Sequence, residues 1–309
     1  MEHPTLGRMV AIVNPRAGNG SEAVLSRLIE ALRTQGIIPE VARTAAAGDA
    51  TRIAREAVES GRRFIVAVGG DGTVHEVVNG MVDAEQGSVR GDDPVLGVVS
   101  AGSGCDLVRT FGLDRSPEVI ARHLAGPATT RIDLGRVRLT GTDGSARTCV
   151  FANIAEVGFG GAVARTARRL PARLGERRYR LGIIAAWGGF RRVGMTIVHD
   201  GGSYEEQLCN VVVANGQFFG GGLKVAPRSL PDDGRMDVQA WGGTVTDVLR
   251  AGRQLRDGSH LQRTDVRSWP SVRVTVEADR QVAVEADGEL LGTAPASFDT
   301  LHRVLAFKL

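Results

Sequence analysis

Apolar and polar positions alternate in two different ways along the chain. In the first 130 residues, short runs of nearly continuous apolar residues alternate with segments whose apolar residues recur at helical spacing. The runs predict buried strands, and the spaced segments predict helices. The predicted strands are 8–13, 39–44, 64–68 and 95–99, and the predicted helices are 21–34, 49–60 and 73–81. Strands that are apolar on both faces and alternate with helices predict a parallel sheet covered on both sides.

After Gly126 and Pro127 the pattern changes, and apolar residues recur at every second position. Strands with this alternation, separated by glycine-rich turns, predict antiparallel sheet in two packed layers. The alternating runs are 131–140, 194–199, 272–277 and 282–286, and helical segments interrupt them at roughly 162–190 and 244–257. We therefore predict an α/β fold with two domains, residues 1–130 and 131–299. Whether 300–309, which include the apolar run 303–308, return to the first domain is left open by the sequence.

Composition and charge exclude several classes of protein. The 309 residues are 42% hydrophobic and 24% charged with a net charge of +3, which is typical of a soluble globular protein. No apolar run approaches the 18 residues of a membrane-spanning helix, and the N-terminus lacks the pattern of a signal peptide. Three isolated cysteines indicate a reducing compartment. We expect a cytoplasmic protein, with a peripheral place at the inner face of the membrane left open.

The clearest chemical signal is the sequence Gly69-Gly-Asp-Gly-Thr73, which lies between a predicted strand and a helix. A glycine-rich turn and the positive end of the following helix together form a site for phosphate oxygens. Thr73 and Glu76 also fit a helix-capping box, but capping does not explain three glycines around an acid. The segments 14–18 and 101–106 follow two other strands of the same predicted sheet. Since ligands bind at the carboxyl edge of such a sheet, these loops predict a nucleotide cleft.

Taken in order, the motifs of this chain resemble those of the diacylglycerol kinase catalytic superfamily, which includes soluble bacterial diacylglycerol kinases and the sphingosine and ceramide kinases. The run from Gly69 to Gly80 is the most specific of them. The matching segments are Asn14–Gly18, Gly69–Gly80, Gly102–Asp106, Gly158–Gly160, Asn215–Gly222, Asp233-Gly234 and Asp287–Glu289. The resemblance implies an N-terminal nucleotide domain like that of NAD kinase and 6-phosphofructokinase. It also implies a C-terminal β-sandwich that holds lipid.

The resemblance also implies ATP and Mg²⁺ as cofactors and assigns residues to them. Asp71 would act with Mg²⁺ on the phosphates, because a carboxylate beside phosphates needs a bridging cation. The residues implied at the nucleotide are Asn14, Thr44, Gly69, Gly70, Asp71, Gly72, Thr73, Val74, His75, Glu76 and Ser103. The chain departs from the family at Cys105, where an asparagine is usual. A thiol cannot replace the donors and the acceptor of an amide.

Two acidic turns in the second domain are further candidates. The resemblance implies that Asp287 accepts the proton of the attacking hydroxyl, with Glu289 in support. Asp-Gly between alternating strands is equally a hairpin turn, and both readings can hold. The resemblance also implies a structural Mg²⁺ or Ca²⁺ held by the Asp233 carboxylate and by the carbonyls of Leu230 and Arg235. A solvated Asx turn is the alternative there.

A third candidate feature is the segment 165–192, which contains nine arginines and one acid, with leucine, isoleucine and aromatic residues between them. This pattern suits an anionic membrane surface, and no groove-reading motif accompanies it to suggest nucleic acid. A solvated helix face is the simpler alternative. Our leading hypothesis is an ATP-dependent lipid kinase that converts diacylglycerol to phosphatidic acid, with homodimer formation left open. NAD kinase and a non-catalytic nucleotide sensor are the alternatives.

Overall fold

The computed structural model describes residues 3, 5–16, 21–101, 105–113, 116–170 and 177–309. The chain forms two compact units. The first comprises Met1–Leu134 and Leu301–Leu309, and the second comprises Gly135–Thr300. The last nine residues thus belong with the first unit, and the division after Leu134 lies four residues beyond the predicted one.

The first unit is built on a parallel sheet. Its elements are β1 (Met9–Val13), α1 (Ser21–Thr34), β2 (Glu40–Arg43), α2 (Asp49–Glu59), β3 (Phe64–Gly69), α3 (Asp71–Met81), β4 (Val82–Asp83), β5 (Ser88–Val89), β6 (Val95–Ser100), α4 (Asp106–Thr110), α5 (Pro117–Ala125) and the start of β7 (Thr129–Gly141). The end of β17 (Glu289–Lys308) completes it, and the strand order is β2-β1-β3-β6-β17 with every pair parallel. The predicted parallel sheet is therefore confirmed.

Apolar side chains on both faces hold this sheet between helices. All residues of β1 and β3 are buried, which explains their continuous apolar sequence. Leu28 of α1 and Leu124 of α5 pack in one cluster with Val66 of β3. Helix α3 begins at Asp71, two residues before the predicted start, because Gly70 rather than a polar side chain forms its N-cap.

The second unit is an antiparallel β-sandwich with two helical insertions, as the sequence predicts. Its elements after β7 are β8 (Ala146–Phe151), β9 (Ile154–Gly158), α6 (Phe159–Arg169), α7 (Arg177–Trp187), β10 (Val193–His199), β11 (Gly202–Leu208), β12 (Asn210–Ala214), β13 (Met236–Trp241), α8 (Val245–Arg250), α9 (Gln254–Asp257), a 3₁₀ turn (Ser259–Gln262), β14 (Val266–Ser271), β15 (Arg273–Ala278), β16 (Ala283–Ala286) and the first part of β17. One path of paired strands runs β14-β13-β12-β9-β16-β17. A second runs β11-β10-β15-β17.

The core of the second unit lies between these strands. Phe151, Val213, Val276 and Phe298, from four different strands, are buried in one cluster. The predicted helical segment 244–257 consists of two short helices, α8 and α9, with three residues between them. Among the residues described, no helix is both long and apolar enough to cross a bilayer.

Candidate active site

The carboxyl edge of the parallel sheet brings together several of the residues predicted at the nucleotide. The N–H of Thr44, after β2, donates to the carbonyl of Val13 at the end of β1 over 2.9 Å. The N–H of Asn14 donates to the carbonyl of Val68, and the N–H of Ala101 donates to that of Gly69. Asn14, Thr44 and Gly69 therefore lie along one edge, where each strand ends.

The turn between β3 and α3 depends on its first glycine. A Cβ at Gly69 would lie 2.7 Å from the Cβ of Thr73, so any other residue would displace the first turn of α3. Gly70 is extended and forms the N-cap without a side-chain hydrogen bond. The N-terminus of α3 thus carries the partial positive charge of a helix end, which favours an anion.

Asp71 is held in place by the loop that follows β6. Its Oδ1 accepts the main-chain N–H of Asp106 over 2.8 Å. Asp106 begins α4 and is buried, and its carboxylate pairs with Arg109 at 3.1 Å. Two loops of the sheet edge are therefore tied together through one carboxylate, and this bond fixes the orientation of Asp71.

Three of the predicted nucleotide residues in α3 have buried side chains. Thr73, Val74 and His75 are each less than 7% exposed. Gly72 also lies in the first turn of α3. For Val74, which is apolar and buried, only the main chain is available to a phosphate. Ser103 lies outside the described residues, as do both glycines beside it.

Glu76 has a different place from the one the sequence suggests. Its Oε1 accepts the N–H of Gly48 over 2.9 Å, and its Oε2 accepts that of Ala50 over 3.1 Å. Glu76 thus caps the N-terminus of α2, which packs against α3. The capping-box interpretation of Thr73 and Glu76 is wrong, because the Glu76 carboxylate accepts the main-chain N–H groups at the start of α2 rather than those at the start of its own helix, α3. Sequence spacing within one helix carries no signal for such a contact between helices.

Cys105 occupies the N-cap of α4. It is buried, and its side chain makes no capping hydrogen bond with that helix. An asparagine at an N-cap accepts such a bond readily. The replacement noted in the sequence therefore leaves α4 without a side-chain cap at the position next to Asp106.

In the second unit, Asp287 and Gly288 form the two-residue turn between β16 and β17. Their φ angles are 51° and 86°, which is the left-handed conformation that a tight hairpin of this length requires. The hairpin that the sequence left as an alternative is thus observed. Glu289, the first residue of β17, is exposed.

The Asp287 carboxylate is buried and bound on both oxygens. Its Oδ1 accepts the N–H groups of Asn153 at 3.0 Å and Ile154 at 3.2 Å, and its Oδ2 accepts that of Ala152 at 3.1 Å. Its own N–H donates to the carbonyl of Ile154 over 2.9 Å. These bonds hold the carboxylate in one orientation, which both a structural anchor and a positioned proton acceptor require.

Sequence reasoning assigned no role to two buried glutamates beside this turn. Glu156 of β9 and Glu285 of β16 are directly paired across the sheet, and they are 8% and 0% exposed. The Glu285 Oε2 accepts the N–H of Gly288 over 2.8 Å, and Glu156 Oε1 accepts Nδ2 of Asn210 over 2.7 Å. The available signal was an acid inside an otherwise apolar strand, as in Ile154–Gly158.

Burial determines the protonation of both glutamates. It raises the pKa of Glu156 to about 7, although the bonds from Asn210 and Glu285 act in the opposite direction. It raises the pKa of Glu285 well above the usual range, and the charges of Glu156 and Asp287 raise it further. Two facing carboxylates in a dry interior cannot both be ionised without a large cost.

The predicted metal turn has the geometry of an Asx turn. Asp233 Oδ1 accepts the N–H of Arg235 over 2.9 Å, and Leu230 is exposed. Within the described part of the chain, no group of three or more His, Cys, Asp or Glu side chains could hold a metal ion. A cation bound by the Asp233 carboxylate and the carbonyls of Leu230 and Arg235 stays a prediction.

Comparison with known proteins supports the same assignment along the chain. Residues 8–137 match the model of the diacylglycerol kinase catalytic domain, and residues 153–307 match that of the YegS C-terminal NAD kinase beta sandwich-like domain. A diacylglycerol kinase of Mycobacterium tuberculosis is 28% identical over 306 residues, covering 97% of this chain and 94% of the relative. A probable YegS-like lipid kinase of Stenotrophomonas maltophilia is 31% identical, covering 88% and 87%.

A solved structure agrees with the fold. The crystal structure of a putative diacylglycerol kinase from Bacillus anthracis superposes with a TM-score of 0.77 at 23% identity, covering 97% of this chain and 94% of that one. The fold and the family matches together define a two-domain lipid kinase. The chain belongs to the diacylglycerol kinase catalytic superfamily, a class of ATP-dependent lipid kinases. The resemblance seen in its motifs is therefore confirmed.

Proposed function

We propose that this protein transfers the γ-phosphate of ATP to the free hydroxyl of diacylglycerol and so produces phosphatidic acid. The observation that carries the proposal is the glycine turn at the carboxyl edge of the sheet, where Asp71 is oriented beside the N-terminus of α3. Relatives that match nearly the whole chain bear the name diacylglycerol kinase. The choice of diacylglycerol among lipids rests on those names.

On the nucleotide side of the reaction, the protein would contribute by binding the ATP phosphates and by orienting the Asp71 carboxylate. The main chain at Gly70, Asp71 and Gly72 lines the turn where the ATP phosphates would bind at the helix end. A carboxylate is an oxygen ligand of the kind that Mg²⁺ prefers, so Asp71 fits the metal that the family implies. When bound, Mg²⁺ neutralises charge on the transferring phosphoryl group. The bond from Asp106 keeps the Asp71 carboxylate in place before the nucleotide arrives.

For the acceptor half, we propose that Asp287 takes the proton of the diacylglycerol hydroxyl. The freed oxygen attacks the γ-phosphorus, and the bond from that phosphorus to the bridging oxygen of ADP breaks. The three N–H donors from residues 152–154 hold the Asp287 carboxylate for this step. Glu289 follows in the chain and is exposed, so we assign it a supporting role at the acceptor.

We also propose that α7 and the basic residues around it bind an anionic membrane surface. Leu181, Ile184 and Trp187 recur every three residues on α7 and are 42%, 64% and 47% exposed. The exposed arginines of the neighbouring segments are Arg165, Arg168, Arg169, Arg191 and Arg192. An apolar helix face among basic residues matches a bilayer of anionic lipids, where the substrate would reside.

A phosphorylation assay with labelled ATP and several acceptors tests the proposed reaction. We expect label in phosphatidic acid when diacylglycerol is presented in mixed vesicles, and no label in NAD. Transfer to NAD would instead establish an NAD kinase. Tight ATP binding with no transfer to any lipid would establish a nucleotide sensor. Asp71→Ala should abolish the transfer, which ties the signal to this protein rather than to a contaminant.

A further inference from the structure

Glu156 and Glu285 form a buried pair of carboxyl groups for which the proposed reaction has no use. They stand opposite each other on antiparallel β9 and β16, where side chains of paired residues lie on the same face. One oxygen of Glu156 accepts a hydrogen bond from the Asn210 amide, and one oxygen of Glu285 accepts a hydrogen bond from the Gly288 N–H. The pair therefore connects the interior of the sandwich to the Asp287–Gly288 turn.

The remaining oxygens of the pair require a proton. Glu285 Oε1 is fully buried, and no donor among the described residues reaches it. Besides burial, the side chain of Glu156 raises the pKa of Glu285, as expected when Glu285 carries a proton and donates it to Glu156. A buried acceptor without a donor is costly, and two facing carboxylates repel. One proton held between the two side chains removes both problems. It gives Glu285 Oε1 a partner and reduces the charge of the pair to minus one.

The surroundings of the pair supply little positive charge. Asn210 and Cys209 face it from the start of β12, and burial, with a smaller effect of the Glu156 charge, raises the pKa of the Cys209 thiol to about 12. From α6 the pair meets the main chain at Gly160, whereas the described arginines of α6 are exposed. From the turn it meets Asp287, whose charge disfavours a second negative charge on Glu285.

We infer that Glu156 and Glu285 share one proton and act as a positioning pair that holds the Asp287–Gly288 turn. The link is direct, because Glu285 Oε2 accepts the N–H of Gly288, the residue that follows Asp287. This inference rests on the proposed function for its catalytic meaning. Independently of catalysis, it states that the folded protein contains a protonated carboxyl group and that the rigidity of the Asp287–Gly288 turn depends on this group.

The test compares the parent protein with Glu156→Gln, Glu285→Gln and Glu285→Leu. Glutamine has the same shape as a protonated glutamate and its amide always carries a hydrogen-bond donor. It therefore mimics the protonated carboxyl group but cannot ionise. Leucine removes the acceptor of the Gly288 N–H. Glu277→Gln is the matched control, because Glu277 lies exposed on β15 of the same unit.

Two measurements do not depend on enzymatic activity. Infrared spectroscopy should show the carbonyl band of a protonated carboxylic acid at neutral pH in the parent and in Glu277→Gln, and neither glutamine variant of the pair should show it. Amide hydrogen exchange at Gly288 should stay slow in Glu285→Gln and become about tenfold faster or more in Glu285→Leu. A band that persists in both glutamine variants, or exchange that leucine does not change, overturns the inference.

The kinetic measurement tests positioning. In Glu285→Leu we expect kcat to fall by about 100-fold with ATP KM unchanged, as for a displaced catalytic group, and Glu285→Gln should restore most of it. The decline of kcat above neutral pH should be weaker in Glu285→Gln than in the parent. An identical pH profile in both proteins overturns the inference. If the parent phosphorylates no lipid, the proposed function fails, and the infrared and exchange data still decide the inference.

Discussion

The main-chain N–H of Asp106 donates a 2.8 Å hydrogen bond to the carboxylate of Asp71. The two residues begin neighbouring helices, α4 and α3, that follow adjacent strands of the parallel sheet. One acid therefore has two roles, which are the connection of two loops and the proposed contact with Mg²⁺. The two roles are separable by substitution, because an asparagine keeps the acceptor and loses the charge.

Replacing Asp71 should abolish turnover while the fold survives. We expect both Asp71→Asn and Asp71→Ala to lose activity and to bind Mg·ATP more weakly, because the charge that attracts the cation is gone. Only alanine should also destabilise the protein, by about 1–3 kcal/mol, because it leaves the Asp106 N–H without this acceptor. Calorimetry and thermal unfolding measure the two effects. Asp92→Asn is the control, and undiminished Mg·ATP affinity in Asp71→Asn would rule out the metal role.

Glu76 should contribute to stability more than to nucleotide binding. Glu76→Ala removes both acceptors at the N-terminus of α2, and we expect a loss of about 1 kcal/mol with ATP KM nearly unchanged. Glu59→Ala, at the exposed end of the same helix, should cost far less. Urea unfolding and steady-state kinetics provide the comparison. A higher ATP KM at unchanged stability would support the nucleotide contact that the family resemblance implies.

Asp287→Asn should lower kcat by about 10² to 10⁴-fold if Asp287 accepts the proton, with ATP KM little changed. We expect this substitution to lower the stability of the protein as well. An amide NH₂ would face one of the three N–H donors, so we expect a concurrent loss of about 1–3 kcal/mol in stability. Asp143→Asn, in another hairpin turn of the same unit, is the control. Turnover near the parental value in a folded Asp287→Asn protein would leave only the structural role.

Binding to anionic vesicles should depend on the basic segment around α7. Glutamine at Arg168, Arg169, Arg177 and Arg178 should weaken binding, at roughly 1 kcal/mol for each base engaged. The matched control places the same four changes at Arg250, Arg253, Arg256 and Arg267, which are exposed elsewhere in the unit. Sedimentation with vesicles at low and high salt measures the effect. Equal losses in both variants would mean that net charge alone, rather than this segment, determines binding.

Stability should fall as the pH rises through neutrality. In the folded protein burial raises the pKa of Glu156 to about 7 from the 4.5 of an exposed glutamate. A raised pKa stabilises the fold fully below the unfolded value, and that contribution is lost as the pH rises through the folded value. The melting temperature should therefore be lower at about pH 9 than at about pH 6. Glu156→Gln should reduce the difference, and an unaltered difference would assign it to other groups.

The sequence predicted the architecture well because most of its signals are local. Continuous apolar runs such as Phe64–Gly69 and the glycine turn after them depend on burial and backbone geometry within a few residues. What the sequence did not reveal is pairing between distant segments. Glu76 caps a helix that begins 27 residues earlier, and Glu156 meets Glu285 only because β9 and β16 are neighbours. No single-residue pattern encodes such contacts.

The passage of β17 from the second unit into the first has a consequence for biosynthesis. Its residues Ala306 and Phe307 pair with β6, and Phe307 is fully buried. The sheet that is encoded first therefore acquires the strand beside β6 only after codons 306 and 307 have been translated. While the ribosome makes the 166 residues of the second unit, the first has an exposed strand edge at β6. The parallel sheet of the first unit is therefore complete only when residues 306 and 307, encoded after the whole second unit, have paired with β6.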